Sequence, residues 1–473
     1  MPIKFGTDGW RAVIAEDYTF DNVRICAQGT ADYLKGLGAA SNGLLIGYDT
    51  RYASDRFAAA VAEVAAGNGI KTVLASKPSP TPVISFNVVH RKMAGAVVIT
   101  ASHNPPAWNG FKYKPEYGGS ASQEVVNALE EKIARVEAGG SVFRKSLTEA
   151  QQEGLLEYID TMPPYLAHLQ KLVDLEGIRS SGLTIVADPM FGSGSGYLPK
   201  ILSGGRTKVS QINAGPNPGF PGIAQPEPVA HNLKKLSSSV VRHKADVGIA
   251  TDGDADRVGI VDEKGRFITT LQTFALLCLY LLEVRKQRGA LVRSLTMTTM
   301  IDLLGELYKV PTFNTQVGFK YLGPVMSREN ALAAGEESGG YAFRGHIPER
   351  DGVLSGLFFV DLMVKTGKRP SELVDYLFSK VGPHHYDRWD LEFDASQRKA
   401  VLERVSRARP NTLAGKRIKE IDTRDGYRFV LSGGYWMLIR FSGTEPLLRI
   451  YAEAGTPEDV NKLLEEGRNL TGL

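Results

Sequence analysis

One pattern recurs along the chain and constrains its fold. Short apolar runs end in loops rich in Gly, Asp and Pro, and a helical stretch follows each loop; four such runs are 44–48, 94–100, 183–187 and 246–250. Strands that alternate with helices in this way form α/β layers in which the strands are buried on both faces. Such sheets bind ligands beyond the carboxyl ends of their strands, so we expect functional groups in these loops.

The remaining segments complete the predicted architecture. Helices are predicted over 19–37, 55–67 and 123–139, and a long irregular loop over 214–228. The last ~100 residues differ, because 435–441 and 447–454 alternate like half-exposed antiparallel strands and a helix follows over 457–467. At roughly 100–200 residues per domain, 473 residues allow three or four domains. We predict α/β domains over 1–150, 151–262 and 263–375, and an α+β domain over 376–473.

Composition excludes several classes of protein. The chain carries 56 Lys and Arg against 52 Asp and Glu, without a basic block, which argues against a nucleic-acid partner or a polybasic membrane anchor. The longest apolar run, 274–282, is shorter than the ~20 residues of a membrane span. The two cysteines, Cys26 and Cys278, lie far apart, so we expect no disulfide framework and a cytoplasmic location.

The segment 252–257 is the most informative motif. Asp252, Asp254 and Asp256 occupy alternate positions on a tight loop that contains a glycine. Their hard oxygen ligands suit Mg²⁺ or Ca²⁺. An EF-hand is rejected because Arg257 stands where that loop needs glycine and because strands flank the motif. The alternative, a solvated acidic turn, is less favoured because three acids beside apolar strands repel one another unless a cation neutralises them.

Ser102 follows a predicted buried strand. An isolated serine in that position is more often a capping residue than a nucleophile. His103, Asn104 and Lys112 change the interpretation, because they supply hydrogen-bond donors and a possible proton shuttle. The Gly-X-Ser-X-Gly elbow of acyl-transfer enzymes is absent here. We therefore treat Ser102 as a candidate nucleophile.

Three further segments contain candidate ligand-binding residues. Arg440 precedes a Ser-Gly-Thr sequence that could bind phosphate, although a plain hairpin turn explains it equally well. Glu336 and Ser338 lie between glycines and could bind sugar hydroxyls or cap a helix, and Arg350 follows as an anion partner. Near the N-terminus, Arg11 stands in a glycine-rich segment.

Together and in this order, these segments resemble the α-D-phosphohexomutase family, which includes phosphoglucomutases and phosphomannomutases. The similarity covers nearly the whole chain. It implies a heart-shaped, four-domain architecture with three related α/β domains and a C-terminal α+β domain. It also implies that the enzyme converts a hexose 1-phosphate into a hexose 6-phosphate through a phosphoserine and a hexose 1,6-bisphosphate, with Mg²⁺ as cofactor.

The resemblance implies a role for each candidate residue. Ser102 would carry the phosphoryl group and share Mg²⁺ with the three aspartates. The sugar would bind one set of residues, namely Glu336, Ser338, Gly318, Lys320 and Arg350. Its distal phosphate would bind a second set, namely Arg440, Ser442, Gly443 and Thr444. The reacting centre would be lined by Arg11, His103, Lys112 and Arg257. Lys112 is the preferred general base, with His103 next.

Several functional alternatives stay open at the level of sequence. Glu337, Gly340 and Phe319 occupy positions that resemble the glucomutase branch, which favours glucose and leaves mannose possible. A phosphoglucosamine mutase and a hexose 1,6-bisphosphate synthase are the nearest alternatives. A phosphatase and a non-catalytic sugar-phosphate-binding paralogue are further ones. Monomer and homodimer are both compatible with the sequence.

Overall fold

The computed structural model describes residues 3–6, 8–441 and 447–473. In that part of the chain, the strands form four sheets that follow one another along the sequence. None of the helices in the described residues is both long and apolar enough to cross a membrane.

The first sheet is mixed, with strand order β1-β5-β4-β2-β3-β6. Strands β2, β3, β4 and β6 are parallel, whereas β1 and β5 run antiparallel to their neighbours. Its elements are β1 (Trp10–Val13), α1 (Phe20–Gly36), β2 (Leu44–Tyr48), α2 (Ser54–Gly67), β3 (Thr72–Ala75), α3 (Thr81–Arg91), β4 (Gly95–Ile99), β5 (Trp108–Pro115), α4 (Gln123–Glu137), α5 (Leu147–Gln152) and β6 (Leu156–Ile159). The three helices predicted from sequence are confirmed as α1, α2 and α4.

The second sheet has the order β11-β10-β9-β7-β8. Strands β7, β8 and β9 are parallel, and β10 and β11 extend the sheet beyond β9 in antiparallel pairs. The elements are α6 (Met162–Leu172), α7 (Leu175–Ser180), β7 (Thr184–Asp188), α8 (Tyr197–Ile201), β8 (Lys208–Gln211), α9 (Lys234–His243), β9 (Val247–Thr251), β10 (Val258–Val261) and β11 (Phe267–Ile268). Residues 214–228 contain no helix or strand, as predicted.

The third sheet has the order β13-β12-β14-β15. Its elements are α10 (Thr270–Leu279), β12 (Leu291–Ser294), α11 (Met300–Tyr308), β13 (Thr312–Thr315), α12 (Phe319–Arg328), β14 (Ala333–Gly335), β15 (Tyr341–Phe343), α13 (Gly352–Thr366) and α14 (Pro370–Val381). The apolar run 274–282 lies in α10 and the π-helical turn Tyr280–Val284 that continues it, and its side chains are buried. This confirms a core helix in place of a membrane span.

The fourth sheet is antiparallel, in the order β16-β21-β20-β19-β18-β17. Its elements are β16 (His385–Glu392), α15 (Arg398–Arg407), β17 (Thr412–Leu413), β18 (Lys416–Asp422), β19 (Tyr427–Leu431), β20 (Trp436–Phe441), β21 (Leu447–Ala454) and α16 (Pro457–Thr471). One face packs against α15 and α16 around a separate apolar core, which agrees with the predicted α+β character.

The sheets do not end at the predicted divisions of the chain. Strand β6 pairs with β3, so the first sheet extends beyond residue 150. Strand β11 pairs with β10, so the second sheet extends beyond residue 262. Residue 376 lies inside α14. These offsets arise because strand pairing between distant segments, and not local composition, decides where a sheet stops.

Candidate active site

Loops from the first three sheets meet at one place. Ser102 follows β4, the three aspartates lie between β9 and β10, and Glu336 follows β14. Lys112 and Lys114 extend from β5, which pairs directly with β4. All three loops therefore follow the carboxyl ends of strands, where the sequence predicted candidate functional groups.

Ser102 is held against the acidic loop. Its side chain is buried, and its backbone adopts the left-handed conformation, with φ of 52°. The hydroxyl donates to Asp252 Oδ2 over 2.7 Å, and the Ser102 N–H donates to Thr100 Oγ1 over 2.8 Å. A Cβ at Gly253 would lie 2.4 Å from the Ser102 carbonyl oxygen, so glycine is required for the two loops to approach this closely.

The three aspartates form a buried cluster whose ligand oxygens lie within 4.8 Å of one another. Burial raises the pKa of Asp252 well above its ordinary value, and repulsion from Asp256 and Asp254 adds to the rise. Asp254 Oδ1 and Asp256 Oδ1 are buried without a hydrogen-bond partner, whereas Asp256 Oδ2 forms ion pairs with Arg350 and Lys112. Buried oxygens that repel one another and accept no hydrogen bonds fit a divalent cation, which would neutralise their charge.

Lys112 is surrounded by carboxylates. Its Nζ lies 2.9 Å from Asp8, 2.9 Å from Asp254 and 3.6 Å from Asp256. Burial alone would lower the pKa of Lys112, but Asp254, Asp8 and Asp256 together raise it above its ordinary value. The side chain is thus held as an ammonium ion, which disfavours the predicted role of Lys112 as the first-choice base.

His103 has the opposite electrostatic setting. Burial, followed by the charges of Arg257 and Arg11, lowers the pKa of His103 well below its ordinary value. Its Nδ1 lies 3.4 Å from Ser102 Oγ. A neutral imidazole can accept a proton and an ammonium ion cannot, so these charge states favour His103 over Lys112 as the candidate base.

Arg350 connects the acidic loop to segment 335–340, which is predicted to bind the sugar. Its Nη2 lies 2.9 Å from Asp256 and 2.7 Å from Asp8, and its Nη1 lies 3.8 Å from Glu336. The Phe319 ring lies beneath the guanidinium, with Arg350 Cζ 5.6 Å from its centroid. A Cβ at Gly340 would lie 2.4 Å from Arg350 Cδ, so a side chain at position 340 would displace Arg350.

Two carboxylates that the sequence did not single out complete this network. Glu349 binds Lys114 Nζ over 2.5 Å and Arg350 Nε over 3.2 Å. Asp8 binds Lys114 over 3.2 Å in addition to its contacts with Lys112 and Arg350. The only sequence signals were the glycine-rich segment around Asp8 and the direct adjacency of Glu349 to Arg350.

Arg11 and Arg257 border the same cluster. Arg11 Nη1 donates to Asn104 Oδ1 over 2.6 Å. Arg257 Nη1 lies 2.8 Å from Glu227, and its Nε lies 3.8 Å from Asp256. Both arginines thus border the Ser102 loop and the aspartate cluster, and their predicted place at a reacting centre stays a prediction.

Glu336 is buried at the carboxyl end of β14. Its Oε1 accepts a hydrogen bond from the Gly318 N–H over 2.9 Å, which brings the two predicted sugar-binding segments together. Burial raises the pKa of Glu336 to about 7, despite the opposing charge of Arg350. Ser338 is half-buried in the same turn.

Lys320 and Arg440 have partners outside the aspartate cluster. Lys320 Nζ donates to Gln123 Oε1 over 2.9 Å. Arg440 Nε donates to Asp425 Oδ1 over 2.9 Å, and Asp425 Oδ2 accepts from the Val317 N–H over 3.0 Å. Ser442, Gly443 and Thr444 lie outside the described residues.

Comparisons with known proteins agree with this architecture. Residues 2–139, 163–265 and 271–381 match the phosphoglucomutase/phosphomannomutase alpha/beta/alpha domains I, II and III, and residues 392–470 match the C-terminal domain of the same family. The chain therefore belongs to the phosphoglucomutase/phosphomannomutase family. It is an enzyme of the mutase type, an isomerase.

Individual relatives span the whole chain. A phosphoglucomutase/phosphomannomutase of Thermococcus kodakarensis is 32% identical over 468 residues, covering 98% of each chain. A phosphoglucosamine/phosphogalactosamine mutase of Sulfurisphaera tokodaii is 27% identical, covering 98% of this chain and 97% of its own. The crystal structure of a proposed phosphomannomutase from Thermus thermophilus is 34% identical, covers both chains completely and has a TM-score of 0.86. Magnesium binding is typical of the family, and the aspartate cluster fits it.

The acidic loop generates a metal-binding prediction. Asp254→Asn should weaken Mg²⁺ binding by at least roughly 10–100-fold, because even the loss of a group that only orients a metal ligand costs that much. Isothermal titration with MgCl₂ measures the dissociation constant. Asp394→Asn, at an exposed position, is the control and should bind as the unmodified protein does. Equal affinity in both variants would remove the 252–256 loop as the metal site.

Proposed function

We propose that the chain interconverts hexose 1-phosphates and hexose 6-phosphates by phosphoryl transfer to and from Ser102. The observation that carries this proposal is the position of the Ser102 hydroxyl, 2.7 Å from a buried three-aspartate cluster. Phosphoryl transfer needs positioning and charge neutralisation more than covalent chemistry from the protein. The site supplies both, since Lys112, Arg257 and Arg350 surround the same loop.

The cycle starts with a phosphoryl group on Ser102. This phosphoryl group passes to the free hydroxyl of a hexose monophosphate and gives a hexose 1,6-bisphosphate. The bisphosphate then reorients in the site and transfers its other phosphoryl group to Ser102. In this proposal His103 accepts the proton of that hydroxyl, the departing Ser102 oxygen takes up a proton in turn, and Lys112 stays charged beside the transferred group. Asp252, Asp254 and Asp256, with an oxygen of the phosphoserine, would hold Mg²⁺, which offsets negative charge during transfer.

The sugar must bind in two orientations during one cycle. We propose that Glu336, Ser338 and Arg350 bind it from the third domain, together with Gly318 and Lys320. The distal phosphate binds Arg440 with Ser442, Gly443 and Thr444. Rotation of the last domain about Gly382 and Pro383, between α14 and β16, would bring this second set toward Ser102 and exclude water.

Glucose phosphate is the preferred substrate in this proposal, with mannose phosphate possible. Phe319 and Gly340 together define the position of Arg350, and a histidine at either place would alter it. In this proposal Glu336 and Ser338 bind the sugar hydroxyls at C3 and C4. Such a site discriminates poorly at C2, which is where glucose and mannose differ. Phosphoglucosamine mutase is the second candidate, because a relative that covers the chain is named a phosphoglucosamine/phosphogalactosamine mutase.

Ser102→Ala tests the phosphoryl carrier. Without the hydroxyl no phosphoserine can form, so we expect turnover of glucose 1-phosphate to fall by roughly 10³-fold or more. The assay measures kcat/KM on glucose, mannose and glucosamine 1-phosphates, with glucose 1,6-bisphosphate as activator. Circular dichroism of the variant controls for folding, and a mass spectrum shows whether Ser102 of the unmodified protein carries a phosphoryl group.

The same assay separates the alternatives. Mutase activity retained in the folded Ser102→Ala variant would reject the proposed carrier. Release of free bisphosphate as the main product would indicate a synthase, and inorganic phosphate without isomerisation would indicate a phosphatase. The highest kcat/KM on glucosamine 1-phosphate would assign the second candidate.

Glu336 generates a pH prediction. With a pKa of about 7, its carboxylate gains a proton as the pH falls, and the charge-assisted hydrogen bonds to sugar hydroxyls weaken. KM for glucose 1-phosphate should rise roughly ten-fold between about pH 8 and about pH 6, following the ionised fraction. Glu336→Gln removes this titration but keeps that of the substrate phosphate, so its KM profile is the control. Parallel profiles in both proteins would contradict the role of Glu336.

A further inference from the structure

The Arg51 side chain forms hydrogen bonds with the backbone of the loop that carries Ser102. The side chain is almost completely buried in the loop after β2. Its guanidinium donates to four carbonyl oxygens, those of Ser102 over 2.7 Å, Asn104 over 2.6 Å, Pro105 over 2.9 Å and Trp108 over 3.0 Å. These acceptors run from the nucleophile to the first residue of β5. One side chain thus binds the nucleophile loop at four points along its length.

Arg51 is itself fixed from both sides. Its Nε lies 3.2 Å from Asp49 Oδ2, while Asp49 Oδ1 accepts from the Arg51 N–H over 2.9 Å and from Ser54 Oγ over 2.8 Å. Across the domain boundary, the Phe220 ring lies against the guanidinium, with Cζ 5.1 Å from the centroid. The guanidinium therefore has little freedom to follow a loop that moves.

The second domain is joined to the same short segment. Thr50 Oγ1 donates to the carbonyl oxygen of Phe191 over 2.8 Å. Residues 49–51 therefore hold the Ser102 loop on one side and the domain that carries the aspartates on the other. The distance between the nucleophile and the acidic loop depends on this connection as well as on the Ser102–Asp252 hydrogen bond.

The left-handed backbone conformation of Ser102 explains why these hydrogen bonds from Arg51 are needed. A non-glycine residue in the left-handed region is strained, and it persists only where its surroundings over-determine it. Arg51 binds the carbonyl of this very residue. A lysine at position 51 could keep the ion pair with Asp49, but a single ammonium cannot match the planar fork that reaches four acceptors.

We propose that Arg51 is a positioning residue that sets the orientation of Ser102 Oγ toward the acidic loop during phosphoryl transfer. This inference rests on the proposed function, since it assigns a role in that reaction. Arg51 acts through the backbone of the nucleophile and not through the substrate. A purely structural arginine would affect folding but would leave the chemical step of the folded enzyme intact.

Arg51→Lys distinguishes these roles. A nucleophile displaced by about 1 Å can cost roughly 10²-fold in rate, so we expect kcat to fall by that order. KM for glucose 1-phosphate and the Mg²⁺ dissociation constant of the unphosphorylated protein should stay within about two-fold. The reason is that the proposed sugar-binding residues and the three aspartates lie on other loops. Arg56→Lys, an exposed arginine on α2, is the matched control and should behave as the unmodified enzyme.

Phe220→Leu is a milder second variant, because it removes the ring behind the guanidinium and keeps an apolar side chain in the core of the second domain. We expect a several-fold fall in kcat with KM unchanged, and this variant decides the matter if Arg51→Lys does not fold. A folded variant of either kind with kcat within about two-fold of the unmodified enzyme would overturn the inference. Lack of mutase activity in the unmodified enzyme would instead reject the proposed function, so the two failures are distinguishable.

Discussion

Mutual repulsion among Asp252, Asp254 and Asp256 is the constraint on which the rest of the site depends. Three carboxylates buried on one tight loop are costly unless positive charge lies close by. Lys112, on β5 of the first sheet, and Arg350, in the segment between β15 and α13, provide part of that charge. These cations are then shared with further carboxylates, so the acidic loop determines how three sheets are placed around it. The deep burial of so many ionised groups follows from this single demand.

Much of the site could be predicted because the chemistry is local in sequence. The three aspartates stand within five residues, and Ser102, His103 and Asn104 are consecutive. Asp8, Arg51 and Glu349 escaped prediction because their partners are distant in sequence: Asp8 pairs with Arg350, 342 residues away, and Arg51 binds carbonyls more than 50 residues away. For the fold, the helices with clear amphipathic patterns were correct, but short edge strands such as β6 were missed because pairing with a distant strand decides them.

The charge states of Lys112 and His103 illustrate a second limit of sequence reasoning. Both residues are present in the motif, and an ordinary lysine or histidine gives no indication of its charge state. The pKa of Lys112 rises because three carboxylates from different segments converge on it, whereas that of His103 falls because burial and two arginines disfavour its cation. Only the folded arrangement supplies these neighbours. Family membership fixes the type of chemistry, while the charge state of each group is a property of the assembled site.

The sharing of Asp8 among Lys112, Lys114 and Arg350 has a consequence for biosynthesis. During translation, the first two domains leave the ribosome before Glu349 and Arg350 have been added to the chain. Until then the two lysines and the three aspartates must stay hydrated or find temporary partners, since their native charge balance is incomplete. Domains usually fold as units in the order of their synthesis. Here the individual sheets can form early, but the charged groups between them can be buried away from water only when the third sheet packs against the first two.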